Sequence, residues 1–389
     1  MDLHFTEAQQ QFRGELRRWL GQNVERPWNQ ELNDPNHSGD RIMELRRRFQ
    51  VKLNEAGYLG MDWPEEWGGR GAGVVEMAIF QEEVVRADAP PIANTMGLGL
   101  LAPALIHHGS EAQRRRFIPK MLNADEIWCQ GFSEPGAGSD LASLRCRAEP
   151  DGSDWRLTGQ KVWTTNGPWA DWIFALARTD PDDRHGGISF FLLPIDQPGV
   201  VLRPLKQITG ESEFGEVFFD GALARGEHMV GAPGAGWKIA MTVLSYERGA
   251  FSLADPARND RRLADLARRL GAQGKLARDA VRERLARLLV ENEVIRANGL
   301  RTVAGLAAGE APGPESSISK LLWSEYAQRQ SRAALELLGP RAHLQSGIDA
   351  EDLNWAREHL WNLAGTIYSG PSEIQRNIVA KRVLRLPTK

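Results

Sequence analysis

The sequence predicts an α+β protein in three successive parts: an N-terminal helical domain, a central β-barrel-like domain and a C-terminal helical bundle. Three observations carry this. Apolar residues recur at helical spacing through the first third of the chain. Short runs of Val, Ile, Phe and Trp between turn residues then follow from about residue 126, and helical spacing returns from 236 to the end. Helices, then strands, then helices is the order of segregated layers, whereas a doubly wound sheet would alternate them. The expected domains are 1–125, 126–235 and 236–389.

The first helix is announced by Thr6-Glu7-Ala8-Gln9, a capping box with Phe5 just ahead of it. Phe12, Leu16, Trp19 and Leu20 follow on one face. Further helical patterns cover 41–56, 74–87, 94–108 and 111–122, and the stretch 57–73, with Trp63-Pro64 and Gly68-Gly69, is a loop by composition. Strand-like runs lie at 155–158, 172–177, 188–193, 200–202 and 217–219, separated by Asp151-Gly152, Gly186-Gly187 and Pro198-Gly199. Such spacing indicates a small barrel or sandwich. The last third is helical with breaks at Asp255-Pro256, Gly271, 309–314, Gly339-Pro340 and Gly370-Pro371.

With 389 residues the chain can bury a large core. A formal net charge of −3 gives no basic field for nucleic acid. Cys129 and Cys146 have no metal-ligand or redox spacing, so they are expected as small core residues in a reducing compartment, with no metal site. No stretch reaches the roughly 18 apolar residues of a membrane span. Asp2 and Glu7 argue against an organellar transit segment, and a cytoplasmic protein is expected.

The most informative segment is Gly131-Phe132-Ser133-Glu134-Pro135-Gly136-Ala137-Gly138-Ser139-Asp140. Its small residues let backbone N–H groups approach a ligand, because no Cβ intervenes. About two dozen residues later, Gln160-Lys161-Val162-Trp163-Thr164-Thr165-Asn166-Gly167 adds a flat indole flanked by hydroxyls. Each alone is equally a Gly-rich turn between strands; the pair suits a planar, phosphate-bearing heteroaromatic cofactor.

These two segments resemble the signatures of acyl-CoA dehydrogenases, with Phe132 at a more usually aliphatic position. Ile374-Gln375-Arg376-Asn377-Ile378-Val379-Ala380 resembles that family's last helix, so the resemblance spans essentially the whole chain. It implies the acyl-CoA dehydrogenase fold and FAD. Carried over residue by residue, Trp163 lies beside the flavin ring, Thr165 bonds near its N5, Ser133 meets its pyrimidine end, and Ser139 meets the cofactor and acyl-CoA phosphates. Gln130, Phe132, Gly138, Thr164, Gly370 and Glu373 are the further implied cofactor residues. The segment from 128 to 249 looks closest to a bacterial branch of pimeloyl-CoA-type and steroid-side-chain dehydrogenases.

Desaturating a thioester needs a base for the α-proton, ideally a carboxylate in an apolar pocket that raises its basicity. Glu247 lies in a helical pattern from 237 to 254 beside Val243, Leu244, Ala250 and Phe251, with no Lys or Arg three or four residues away. On local physics a salt bridge to another helix explains it as well. The resemblance favours the base. Most members carry the catalytic Glu in a Tyr-Glu-Gly-Thr motif, which here reads Tyr368-Ser369-Gly370-Pro371. The isovaleryl-CoA and long-chain branches carry it before an Arg, as in Glu247-Arg248. The family's backbone N–H bond to the thioester carbonyl survives at Ser369, and Arg248 is an implied substrate neighbour.

The implied reaction is α,β-desaturation of an acyl-CoA to a trans-2-enoyl-CoA, with electrons leaving to an electron-transfer flavoprotein. Three departures bear on assembly. Pro371 replaces a flavin-binding Thr, the Arg-x-x-Phe-Gly segment has no clear counterpart, and the Gly-Gly loop survives only as Leu338-Gly339-Pro340. They fit drift in a homotetramer or dimer, or a mixed tetramer completed by a related subunit. A non-catalytic partner subunit, a flavin monooxygenase or oxidase on the same fold, and simple acyl-CoA binding are the rival readings.

Overall fold

The computed structural model describes residues 5–25, 38–249, 253–310, 313–344 and 353–387. They fall into two compact units: residues 1–37, 72–90 and 248–389 form a helical unit, and 38–71 with 91–247 form a unit built around a sheet.

In the sheet unit, α2 (Gly39–Glu55), α4 (Ala102–His108) and α5 (Glu111–Leu122) precede eight strands, and α6 (Gly236–Gly249) follows them. The strands are β1 (Trp128–Gly131), β2 (Arg147–Asp151), β3 (Asp154–Thr165), β4 (Trp172–Arg178), β5 (Ile188–Pro194), β6 (Val200–Leu205), β7 (Phe214–Ala224) and β8 (Met229–Val230). They pair in the order β6-β7-β3-β2-β4-β5-β8, with β1 parallel to β4 from Trp128↔Trp172 to Gly131↔Ala175. Phe191 and Leu193 of β5 share one apolar cluster with Val217 and Phe219 of β7, four places away in that order. The sheet therefore curls over its own inner face, as the barrel-like expectation required. Phe174, Leu176, Phe190 and Leu192 on the alternate positions are buried as well, so β4 and β5 are covered on both faces.

The helices of this unit are tied to the sheet by a buried polar network. The Gln50 side chain donates to the Met121 and Leu122 carbonyls at 2.7 and 3.1 Å and accepts from Asn94 N at 2.8 Å. Asn94 donates to the Glu126 carbonyl at 2.9 Å and accepts from Trp128 N at 3.0 Å, which places the start of β1. Every group in that chain is satisfied, the condition under which buried amides specify one arrangement.

The helical unit holds α1 (Glu7–Asn23), α3 (Val74–Arg86), α7 (Ala254–Ala272), α8 (Asp279–Ala307), α9 (Ser316–Leu338), α10 (Trp355–Ala364) and α11 (Ser372–Ile378). The Thr6 and Gln9 capping box forms in both directions at 3.2 and 3.0 Å. Leu266, Leu270, Leu285, Leu335, Leu338 and Trp355 make a shared core, and Arg13 pairs with the buried Glu82 at 2.7 Å.

Several expectations are corrected in detail. The 94–108 helix begins as a π-turn, Gly97–Leu101, before α4. The 237–254 helix is described from Gly236 to Gly249, and Asp255-Pro256 is no break: both lie in the first turn of α7, where proline's missing N–H has no partner to lose. Ala250 and Phe251, expected beside Glu247, lie outside the described residues. Strands β1, β2 and β8 went unread. β1 is the apolar lead into the Gly-rich segment, β2 buries only Ala148 of its five residues, and β8 is two residues long.

Candidate active site

The Gly-rich segment leaves β1 and folds back on itself. Glu134 and Ala137 exchange both backbone hydrogen bonds at 3.0 Å, closing a turn over Pro135-Gly136. The Glu134 carboxylate then accepts from Arg145 N at 2.6 Å, Cys146 N at 2.9 Å and Lys161 Nζ at 2.7 Å. Lys161 is fully buried and also donates to the Phe132 carbonyl at 3.3 Å, while Val162 N donates to the Ser133 carbonyl at 3.0 Å. One buried ion pair thus locks the loop onto β3. Nothing in the pattern of the sequence set Glu134 and Lys161 apart from the ligand-facing residues around them; only the register that makes Lys161 an inward position of β3 reveals them.

Directly after Lys161 the pairing of β3 with β7 slips, so that Val162 and Trp163 oppose one residue. Trp163 has φ +61° and stands 60% exposed, its ring edge-on to Phe214 at 6.0 Å. A bulky residue in the left-handed region is held there by its surroundings, and such residues concentrate at ligand sites. Thr164 takes the opposite orientation: it is buried, and its hydroxyl donates to the Gly215 carbonyl at 2.9 Å. A cofactor contact by Thr164 would use groups other than that donated hydroxyl proton. The Phe132 side chain is likewise core, edge-on to Phe174 and Phe190 at 5.8 and 6.0 Å. Thr165 and Ser133 are both half-buried.

Two observations fit these residues to a flavin. The Gln130 amide nitrogen is buried with no hydrogen-bond partner among the described residues, a donor awaiting an acceptor. A Cβ built on Gly136 or Gly138 would meet nothing within 4 Å, so neither glycine is required by packing within the chain. Gly131 differs, since a Cβ there would strike Ile173 Cδ1 at 2.7 Å.

Beside this loop is a cavity of about 470 Å³ lined by Ser139, Asp140, Arg184 and His185 and by Trp237, Met241 and Leu244 of α6. Arg184 pairs with Asp140 at 2.7 Å, and the His185 ring lies 4.7 Å from the Trp237 ring. Trp237, Met241 and Leu244 recur at helical spacing, and that stripe continues to position 248. Position 247 continues the adjacent stripe of Ala240 and Val243, both fully buried. The helix is anchored to α4 by His107 Nε2 to the Tyr246 hydroxyl and His108 Nε2 to the Thr242 hydroxyl, each 2.8 Å. Burial, and then the neighbouring His107 and Lys238 charges, hold the His108 pKa below its ordinary value. The sequence offered no sign of this clamp, which depends on two helices far apart in the chain.

In the helical unit, Tyr368, Ser369 and Gly370 form a turn between α10 and α11. Tyr368 N donates to the Ala364 carbonyl at 3.1 Å, and Ser372 N to the Thr366 carbonyl at 3.0 Å. Ser369 has φ +51° and Gly370 φ +88°. The Gln375 side chain donates to the Gly370 carbonyl at 3.2 Å. Glu373 is exposed on α11, 3.8 Å from Arg376. Pro371 is the residue before the helix and supplies no capping side chain. Cys129 and Cys146 are buried free thiols, and burial raises both pKa values, that of Cys146 to about 11. Among the described residues no group of His, Cys, Asp and Glu is arranged to hold a metal ion, and no helix is long and apolar enough to cross a membrane.

Comparison with known proteins covers the chain from end to end. Three family models match in order: acyl-CoA dehydrogenase N-terminal domain over residues 6–125, middle domain over 129–222 and C-terminal domain over 234–384. The acyl-CoA dehydrogenase IpdE1 of Mycobacterium tuberculosis is 43% identical over 384 residues, covering 97% of this chain and 98% of that protein. IpdE1 of Mycolicibacterium smegmatis is 41% identical over 395 residues, with 97% and 98% covered. Among solved structures, the Tcur3481-Tcur3483 steroid ACAD matches with a TM-score of 0.90 at 27% identity over the whole of both chains. The ChsE4-ChsE5 complex from Mycobacterium tuberculosis matches with a TM-score of 0.86 at 28% identity, also over both whole chains.

Proposed function

Because this chain belongs to the acyl-CoA dehydrogenase family, oxidoreductases whose cofactor is FAD, we propose that it desaturates an acyl-CoA thioester to the trans-2-enoyl-CoA with Glu247 as base. The observation that carries this is the position of residue 247 on α6. It extends a fully buried stripe, one turn from Leu244 on the cavity wall, in a chain whose other family base position is Ser369. Desolvation of a carboxylate at this position would raise its affinity for a proton.

FAD, when bound, supplies the acceptor for the β-hydride. The chain's own residues do the rest. Gln130, Ser133, Trp163, Thr165 and Gly138 hold and orient the ring system, with Gly370 and Glu373 as further contacts. Ser139 takes phosphate oxygens of cofactor and substrate. Arg248 is the further proposed substrate neighbour. Glu247 removes the α-proton, and the backbone N–H of Ser369 donates to the thioester carbonyl, where negative charge develops. An electron-transfer flavoprotein is the proposed acceptor and the cytoplasm the proposed setting. The structural neighbours named for steroids favour a bulky, ring-bearing acyl group over a short straight one.

Glu247→Gln tests the assignment. Turnover should fall about a thousandfold, within the range of a lost general base, with FAD binding unchanged. Near-normal turnover would refute it. A second reading is favoured by Pro371, which offers no hydroxyl before α11, and by structural neighbours named for protein pairs, Tcur3481-Tcur3483 and the ChsE4-ChsE5 complex. On this reading a related subunit completes a mixed tetramer. Purified alone, the chain should then hold well under one FAD per subunit; full occupancy would support a homo-oligomer.

A further inference from the structure

A non-glycine residue in the left-handed region persists only where its neighbours over-determine it. At Ser369, φ +51°, the neighbours are identifiable. Gln375 holds the following carbonyl, and the Gln328 side chain donates to the Thr366 hydroxyl at 3.1 Å. The third is Lys320 of α9, which donates to the Gly365 carbonyl at the start of the turn. Its Nζ also lies 4.5 Å from the Trp323 ring centroid and 4.7 Å from that of Tyr368, the residue before Ser369. The two rings are 6.2 Å apart and tilted by 40°. The ammonium therefore lies against two π faces and a carbonyl, and it holds the segment leading into Ser369 at two points, Gly365 and Tyr368.

The Lys320 charge also acts on the Asp255 carboxylate of α7, but the turn it holds stands at the surface. Tyr368 is 42% exposed, and Ile367 beside it is 68% exposed, so apolar burial does not fix this turn. An exposed turn in a strained conformation that is held by a cation requires the cation to keep its geometry. The positive charge lies against the ring of the residue directly before Ser369.

We propose that Lys320 is a positioning residue for the thioester carbonyl: through Tyr368 and Gly365 it fixes the direction of the Ser369 N–H, and its charge adds to the potential that stabilises the enolate-like substrate. This rests on the reading of Ser369 as the carbonyl donor. It makes the helical unit's contribution to catalysis depend on a side chain on α9 that touches no reacting atom.

The test uses the FAD-loaded protein with whatever partner subunit accompanies it, and a 3-thia-acyl-CoA as probe. This thioester cannot be desaturated, but its bound α-carbanion gives a long-wavelength charge-transfer absorbance with oxidised flavin. In the unaltered protein the band should appear and titrate with pH. Lys320→Met should raise the apparent pKa of the bound probe by about one unit, about tenfold less carbanion, with probe affinity within about threefold. Lys320→Arg should restore at least half of the lost carbanion. An unchanged titration in Lys320→Met, or no rescue by Arg, would overturn the proposal. If Lys320→Met does not fold, Tyr368→Leu removes one bracketing ring and should lower the carbanion fraction about threefold; no change there would equally overturn it. A band missing from the unaltered protein would instead sink the reading of Ser369 on which the proposal stands.

Discussion

Trp163 in the sheet unit and Ser369 in the helical unit are both left-handed, and they are held in opposite ways. Trp163 sits in a β-bulge backed by the buried Lys161–Glu134 pair, and its side chain stands outward. Ser369 stands on an exposed turn held by Lys320, Gln328 and Gln375, and its own side chain is small. At the first place the identity of the side chain matters and the backbone serves it. At the second, on the proposed reading, the backbone matters, and the contacts that hold the turn do not involve the Ser369 side chain.

The comparison predicts unequal costs. The largest should come from Lys161→Met, which strands the buried Glu134 carboxylate with only the Arg145 and Cys146 N–H groups. Removing one partner of a buried pair costs about 3 kcal/mol or more, and thermal unfolding should shift down by several degrees with loss of FAD retention. Lys161→Met combined with Glu134→Gln should recover more than half of that stability, because Gln still accepts from a backbone N–H. Failure to recover would mean that the pair does not act as a unit.

Ser369→Gly should matter little. Relief of the left-handed strain is worth about 1 kcal/mol, and the greater freedom of Gly in the unfolded chain offsets most of it. Turnover within about threefold is expected, since the backbone donor remains; a loss beyond about thirtyfold would show that the serine hydroxyl takes part.

The smallest effect concerns the α4 clamp on α6. Burial lowers the His108 pKa, so between that lowered value and about 6.5 the unfolded chain binds more protons than the folded one. Stability therefore falls as pH drops through this window. His228 and His359 are shifted the same way by burial and contribute in the same direction. His108→Gln should flatten the decline in melting temperature by roughly 1–2 °C without abolishing it. An unaltered slope would remove His108 from the account.

Much of this was legible in the chain. The capping box of the first helix, the apolar runs of β4 and β5, and the turn residues between strands follow from local physics, and they appear where expected. The Gly-rich segment and the Trp163 strand were readable as a ligand-binding pair for the same reason: their composition contradicts a packed core. What was not legible depends on register and on distant partners. Thr164 and Thr165 look alike in sequence, and only the bulge turns one into the sheet. Phe132 reads as part of a loop, yet it packs against Phe174 and Phe190. Lys161, His107 and Lys320 read as ordinary surface charges until the fold supplies Glu134, Tyr246 and the two rings.

The central claim is that the proton-abstracting group stands at 247 and that position 369 acts through its backbone. Anaerobic single-turnover reduction of the flavin by an acyl-CoA, in Glu247→Gln and Ser369→Gly side by side, addresses it most directly. The account predicts bleaching slowed about a thousandfold in the first and by no more than about threefold in the second, with FAD retained in both. Rapid bleaching in Glu247→Gln, or a thousandfold loss in Ser369→Gly, would contradict it.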